Sequence, residues 1–501
     1  MGISTVIVER NSETVDMPRA VSIDDESMRT IQAIGLVDEL EKIIQKGYGS
    51  IYKGPTGDVF AEVKPLSKEY GFEKRNAFQQ PELEALFHKG LARFSCVKTM
   101  FSATAIAFTQ DSLGVTAIIE TAENEATEIS AKYMVACDGG RSAIRKILGI
   151  DMVGSTFSEP WLIVDLKKTS NRQFHTEVFC NPARPCITLP GPNGIRRYEF
   201  KLRPGEVSED AEHEDFVRRL LGQFGPDKDA EFKRVEVYTF HARIASRWRD
   251  GRVFLAGDAA HLTPPFAGQG LNSGLRDAHN LAWKLAQAAD NELDDAFLDS
   301  YEIERRPHAW SMIQLAQRMG AIMMPTSGWQ GALVRFGFHV FGIYPPVRDY
   351  IAQMRYKPKP RFANGLIWQD EKAPNKTIVG SLFPQPLVED CNGQYSLLDY
   401  CLPDKPVLLV YAERPEQCIK DETRTVLEGM GASVLGITPE WMKPGRADFP
   451  IVRDVNRMLV KRPYMHYLDN VILLRRDRYV AASTRSQKVA ELQTPLMGLG
   501  R

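Results

Sequence analysis

No run of apolar residues approaches the roughly 18 to 20 needed to span a bilayer, and the N-terminus lacks the basic-then-apolar layout of a signal peptide. No charge of one sign dominates: 63 Lys and Arg stand against 64 Asp and Glu, so no basic field exists to collect nucleic acid or anionic lipid. Seven cysteines, an odd number with no C-x-x-C pair, argue against a disulfide frame or a zinc site and for reduced thiols. Internal repeats and low-complexity tracts are absent. These absences lead us to expect a cytoplasmic protein with no metal site, no nucleic-acid partner and no membrane partner. One further absence is local. The opening strand "GISTVIVER" ends in Glu9, as the second strand of a dinucleotide-binding βαβ unit does, yet no glycine-rich turn lies about 20 residues before it.

What is present reads as an ordinary globular chain of 501 residues, 43% apolar and 25% charged, long enough for two to four domains. Residues 1–150 alternate strand-like and helix-like runs, which argues for a parallel sheet flanked by helices. Over 151–245 the pattern turns to short strands broken by Pro, Gly and Asn, as in "WLIVDLKK", "IRRYEFKLRPGE" and "RVEVYTFHARIA". That predicts an antiparallel sheet inserted into the first domain. The α/β pattern returns over 246–365 with "GRVFLAGDAAH" and a long helix on which Leu275, Ala278, Leu281, Ala282 and Leu285 recur at helical spacing. After the proline-rich "MRYKPKPRF", residues 366–501 suggest a separate small α/β domain.

Three stretches carry candidate chemistry. In "VFLAGDAAH", Gly257 and Asp258 close an apolar strand, where an open α/β sheet binds ligands. The loop "LTPPFAGQG" follows, with Gly268 and Gly270 permitting close backbone approach and a helix starting near Leu271 and Asn272 presenting its positive end. Second, "VACDGGRSAIRKILG" sets Asp138 and Gly139 at a strand end, with Arg141, Ser142 and Arg145 opening a helix. Third, Arg19 in "MPRAVSID" and Gln80 in "QQPELE" follow Glu9. Each stretch alone is also ordinary turn or surface chemistry.

Together, in this order and spacing, Glu9, Arg19, "QPELE", "CDGGRSAIR" and "GDAAHLTPPFAGQGLNSGLRDAHNLAWKL" resemble the single-component FAD-dependent aromatic hydroxylases of the para-hydroxybenzoate hydroxylase type. The resemblance implies an α/β fold: a Rossmann-like FAD-binding parallel sheet, an inserted antiparallel substrate sheet and a C-terminal thioredoxin-like domain, here without C-x-x-C. Because that family starts with a strand and a Gly-x-Gly-x-x-Gly turn, we expect the first βα unit to be missing from this chain. The resemblance assigns Glu9 to the adenosine ribose, Arg19 and Gln80 to the pyrophosphate and ribityl region, and Asp258 to the ribityl chain. It assigns the Leu271 and Asn272 backbone to the flavin ring, and Asp138, Gly139 and Arg145 to a second fingerprint shared by FAD and NAD(P)H. The activity implied is hydroxylation of a phenolic ring in aromatic catabolism: NAD(P)H reduces the flavin, oxygen adds at the flavin C4a carbon, and the hydroperoxide attacks a small aromatic substrate. For the substrate we single out Arg197 for a carboxylate, and Tyr238 and His241 for the ring hydroxyl. A homodimer is compatible with this reading. A polyketide-type hydroxylase and an inactive flavoprotein scaffold remain as alternatives.

Overall fold

The computed structural model describes residues 1–157, 159–206, 208–290, 293 and 295–500. Strand Thr5–Val8 pairs in parallel with Val97–Met100, and strand Met134–Ala136 pairs in parallel with Val253–Leu255. The two pairs belong to separate sheets, so the parallel sheet expected as one lies in two pieces. Around them pack the helices Asp25–Ala33, Gln80–Leu91, Gly270–Asp290 and Asp295–Met323.

The middle of the chain forms a seven-stranded sheet, in the order Phe232–Tyr238, Trp161–Leu166, Arg196–Lys201, Cys186–Pro190, Thr176–Phe179, Ser50–Lys53 and Val59–Val63. It differs from the expected insert in two ways. Two of its strands come from residues 50–63, and Thr176–Phe179 pairs with Ser50–Lys53 in parallel. Strands Met152–Thr156 and His241–Ala245 leave it to pair with each other and with His261–Leu262. Strand pairing across more than 100 residues depends on which faces bury one another, and alternation within a strand carries no record of that.

The C-terminal part is a second seven-stranded sheet whose centre is a βαβ crossover, Val407–Tyr411, helix Asp421–Gly429 and Ser433–Thr438, flanked by the parallel strand Ile451–Asp454 on one side and the antiparallel strand Asn470–Leu474 on the other. Such an arrangement suits a thioredoxin-like unit. Among the described residues no helix is long and apolar enough to cross a membrane.

The Gly270–Asp290 helix departs from its apolar reading. Ala278 and Ala282 are exposed, whereas Asn272, Arg276, Asp277, Asn280 and Lys284 are buried. Polar groups are tolerated inside only when paired, and these are. Arg276 binds Asp24 and Glu26, Asp277 binds His261 and Arg305, and Lys284 binds Glu304. Glu304 also receives both terminal nitrogens of Arg475 at 2.6 and 2.8 Å, and Arg475 pairs in turn with Asp477, so the C-terminal sheet is pinned to both long helices. Burial would raise the Glu304 carboxyl, but Arg475 and Lys284 hold it down to about 2; burial brings Lys284 down to about 8.

Replacing one partner of such a buried cluster strands the others without counter-charge. Glu304→Ala is expected to cost about 3–5 kcal/mol, read as a lowered urea midpoint together with protease cleavage in the 357–377 connection at concentrations that spare the parent.

Candidate active site

The parallel pairing of Met134–Ala136 with Val253–Leu255 brings both strands' carboxyl ends together, so Asp138-Gly139 and Gly257-Asp258 emerge side by side. Gly139 (φ +78°) and Gly257 (φ +58°) occupy the left-handed region that glycine enters without strain. A Cβ added at Gly274 would lie 3.3 Å from the Gly257 Cα, so the long helix packs directly on this turn. Asp277 fixes the turn from below, accepting the Gly257 N–H at 3.2 Å and engaging His261 Nε2 at 2.7 Å. The buried Arg145 donates to the carbonyls of Ala259 and Gly140, each at 2.9 Å, and so ties the two turns together. It is a positioning residue. Asp138 accepts the Ile144 N–H at 3.1 Å, and Asp258 stands exposed at the mouth.

The loop before the long helix is anchored by Phe266, whose ring lies 5.5 to 5.8 Å from those of Trp161, Phe157 and Phe240. Gly268 (φ +61°) approaches Ser22 so closely that a Cβ would sit 3.2 Å from the serine Cβ. The Asn272 amide, wholly buried, donates to the Ser22 and Gly268 carbonyls and accepts the Asp24 N–H at 3.0 Å, which leaves only its backbone to meet a ligand. The first backbone bond of the helix runs from Ser273 N–H to Gln269, so the N–H groups of Gly270, Leu271 and Asn272 precede it. A Cβ at Gly270 would meet nothing within 4 Å.

The Arg19 segment shows what sequence reading missed. Gln80 Oε1 accepts the N–H groups of Arg19 (3.0 Å) and Ala20 (2.9 Å), and its Nε2 donates to Glu84. Arg197 donates to the carbonyls of Arg19 (2.6 Å) and Pro18 (2.7 Å) while holding Asp165 with two bonds of 2.7 and 2.9 Å. Arg234 donates to the Pro18 carbonyl as well. Gln80, expected near the pyrophosphate and ribityl region, therefore holds the Arg19 backbone. Arg197, expected to meet a substrate carboxylate, is 5% exposed and has its donors engaged here as a second backbone clamp. Between them the Arg19 side chain projects exposed; burial raises the nearby Asp258 carboxyl, with His261 and Arg19 opposing it, whereas Arg234 and Tyr238, with Arg19 behind them, hold Glu236 below its usual range.

The two other expected catalytic residues are also engaged. Tyr238 hydroxyl receives Arg234, whose guanidinium lies 4.9 Å from its ring, and burial raises the phenol. His241 Nδ1 meets Thr156 Oγ1 at 3.0 Å, and burial, with Arg243 and Arg141 nearby, lowers its imidazole. Glu9, half-buried at its strand end, accepts the Asn11 N–H at 2.8 Å.

Beside Ser22, Ala267 and Gln269 opens a cavity of about 650 Å³, and neither Tyr238 nor His241 lines it. One wall is the buried triplet Asp24, Asp25 and Glu26. Against the effect of burial, Arg276 and Lys357 hold Asp24 and Glu26 below the usual carboxylate range. Asp25, 4.0 Å from Lys357, is pushed up to about 7 by burial and by its two anionic neighbours. Lys74 and Arg75 line the cavity as well. The only sequence signal for this wall is a polar run, "DDE", at the start of an amphipathic helix.

The donor set fits FAD: an open approach at Gly270, backbone N–H groups at a helix start, an exposed Arg19 beside Asp258, and the Glu9 carboxylate at a strand end. Residues 1–316 match the family model described as FAD binding domain, and residues 380–498 match the HcaD C-terminal domain. The chain is 36% identical over 496 residues to the 3-(3-hydroxy-phenyl)propionate/3-hydroxycinnamic acid hydroxylase of Escherichia coli K12, covering 98% of this chain and 89% of that one. The like-named hydroxylase of Shigella sonnei is 36% identical over 492 residues, 97% of this chain and 88% of its own. Among solved structures, the flavin-dependent monooxygenase PieE, in complex with FAD and substrate, superposes with a TM-score of 0.78 at 20% identity, covering 99% of this chain and 95% of its own. Aklavinone-11 hydroxylase with FAD and aklavinone gives 0.76 at 22% identity, covering 99% and 94%. This fold, this site and these relatives place the chain in one family: it belongs to the FAD-dependent aromatic hydroxylases, and it is a monooxygenase.

Proposed function

We propose that the protein hydroxylates the ring of a phenolic acid of the 3-(3-hydroxyphenyl)propionate or 3-hydroxycinnamate type, with NAD(P)H as reductant and molecular oxygen as co-substrate. The observation that carries this reading is 36% identity over 98% of the chain to hydroxylases of those acids. Bound FAD supplies the redox and oxygen-activating chemistry.

The chain's own residues bind, orient and handle the proton. The helix start at Gly270 with the Leu271 and Asn272 backbone would hold the flavin ring, Arg19 and Asp258 its side chain, and Glu9 the adenosine ribose. The cavity next to Ser22, Ala267 and Gln269 is the substrate chamber, and about 650 Å³ suits a ligand of this size. Lys74 holds the substrate carboxylate; its present bond, 3.5 Å to the Gln353 carbonyl, is long and readily given up. Asp25, in the chamber wall, accepts the phenolic proton at its carboxylate. Phe266 and the rings around it keep the Pro264-Pro265 loop in place and water away from the reacting face.

NADH or NADPH oxidation by the FAD-loaded protein is expected to quicken with 3-(3-hydroxyphenyl)propionate and to yield the hydroxylated acid by mass spectrometry; no hydroxylated product from any phenylpropanoid acid overturns the substrate assignment. Lys74→Met is expected to raise KM by about tenfold to a hundredfold with kcat changed little, since it removes a charge-assisted contact formed throughout the reaction. Asp25→Asn is expected to lower kcat about a hundredfold or more and to abolish its rise through pH 7. The same change has a stability sign that can be checked. An acid whose folded pKa is raised from 3.8 to about 7 binds more protons folded than unfolded across that window, so its contribution to stability falls as pH rises through it. Asp25→Asn therefore raises Tm at pH 8, and the gain shrinks as pH falls towards 5.

A further inference from the structure

Helix Gly328–Gly342 is apolar all round: its only ionisable side chains are Arg335 and His339. One face is satisfied. Phe338 meets Phe60 of the seven-stranded sheet with ring centroids 5.5 Å apart, and Arg335 turns inward, its Cδ 3.0 Å from where a Cβ on Gly54 would stand. The opposite face is not. Trp329, Leu333, Phe336, Val340, Ile343 and Tyr344 are 68, 61, 65, 42, 73 and 63% exposed.

The spacing of this stripe identifies its occupant. Positions 329, 333, 336, 340 and 343 follow one another at four, three, four and three residues, which is the seam along which two helices interlock. An interfacial lipid-binding helix instead carries a broad apolar face bordered by Lys and Arg, and here the one arginine of the helix points inward. Gly337, where a Cβ would meet nothing within 4 Å, leaves the backbone beside the seam open to close approach. The stripe bears no charge, so setting it against an identical stripe buries no ion. At about 150–250 Å² per aromatic ring, these exposures together with Phe341 leave on the order of 800 Å² of apolar surface in water. That is above the roughly 300–600 Å² of an ordinary monomer's largest patch and matches the share of one partner in a stable interface.

We propose that two copies of this chain associate through this face, the Gly328–Gly342 helices packing against each other across a twofold axis. Sedimentation of the FAD-loaded full chain is expected to give twice the 56.4 kDa chain mass. Phe336→Glu is expected to weaken the dimer by at least about thirtyfold, the scale of an interface hot spot, with Tm, flavin content and turnover unchanged. Phe336→Cys provides an independent check without a buried charge. Mild oxidation should convert it to a reductant-sensitive dimer on a denaturing gel, whereas Leu113→Cys, exposed elsewhere, should behave as the parent does. A wild type that stays monomeric at micromolar concentration, or a dimer indifferent to Phe336→Glu, overturns the proposal. So does a monomer that floats with phosphatidylglycerol vesicles and loses that binding in Phe336→Glu, which would assign the face to a lipid surface.

Discussion

The buried polar stripe of helix Gly270–Asp290 is the constraint on which the rest of the structure depends. Asn272 at its first turn fixes the spacing between the glycine loop and the Ser22–Asp24 segment. Arg276, one turn on, neutralises two carboxylates of the cavity wall, Asp277 sets the Gly257 turn, and Asn280 and Lys284 reach Glu304. One helix thus registers the cofactor mouth, the chamber wall and the C-terminal sheet against one another. Each of these contacts is costly to leave unmade, because a buried charge without its partner has no water to fall back on.

Site geometry is built by clamping backbone rather than by freezing functional side chains. Gln80 and Arg197 belong to a helix and to the substrate sheet, and they grip the same peptide units from opposite sides. The arginine that projects from those units keeps its torsional freedom. In the cavity wall, three carboxylates share two close cations, Arg276 and Lys357; burial, joined by the two anionic neighbours, raises Asp25, whereas the cations hold Asp24 and Glu26 down. A fully balanced wall would hold no proton to exchange.

The strand-end Asp-Gly and Gly-Asp turns, the glycine loop and the alternation of strands were legible in the sequence because each depends on local backbone geometry. The family likeness read from those motifs agrees with the matches over nearly the whole chain. What stayed hidden depends on partners distant in sequence. Arg197 sits in "GIRRYEF" as a plain alternating residue, and only the approach of Asp165 and Pro18 makes it a clamp. Hydropathy placed Ala278 and Ala282 in the core and missed Arg276 and Lys284, because a paired ion inside a protein has the same letter as a solvated one. The two strands from residues 50–63 joined the substrate sheet for a similar reason: their pairing is set by faces, not by spacing.

Arg475 and Asp477 belong to the C-terminal sheet, while Glu304, Asn280 and Lys284 belong to the two long helices; each part carries one cation and one anion, but the buried hydrogen bonds of the cluster are complete only when both parts are present. The cluster therefore works as a compatibility code for recombination. A chimera that grafts another C-terminal segment onto residues 1–379 inherits the buried Lys284–Glu304 pair whether or not the graft brings the groups that complete its hydrogen bonds. Modular exchange among relatives is limited less by the loop that joins the parts than by whether the incoming sheet presents an arginine and an aspartate at one tight turn.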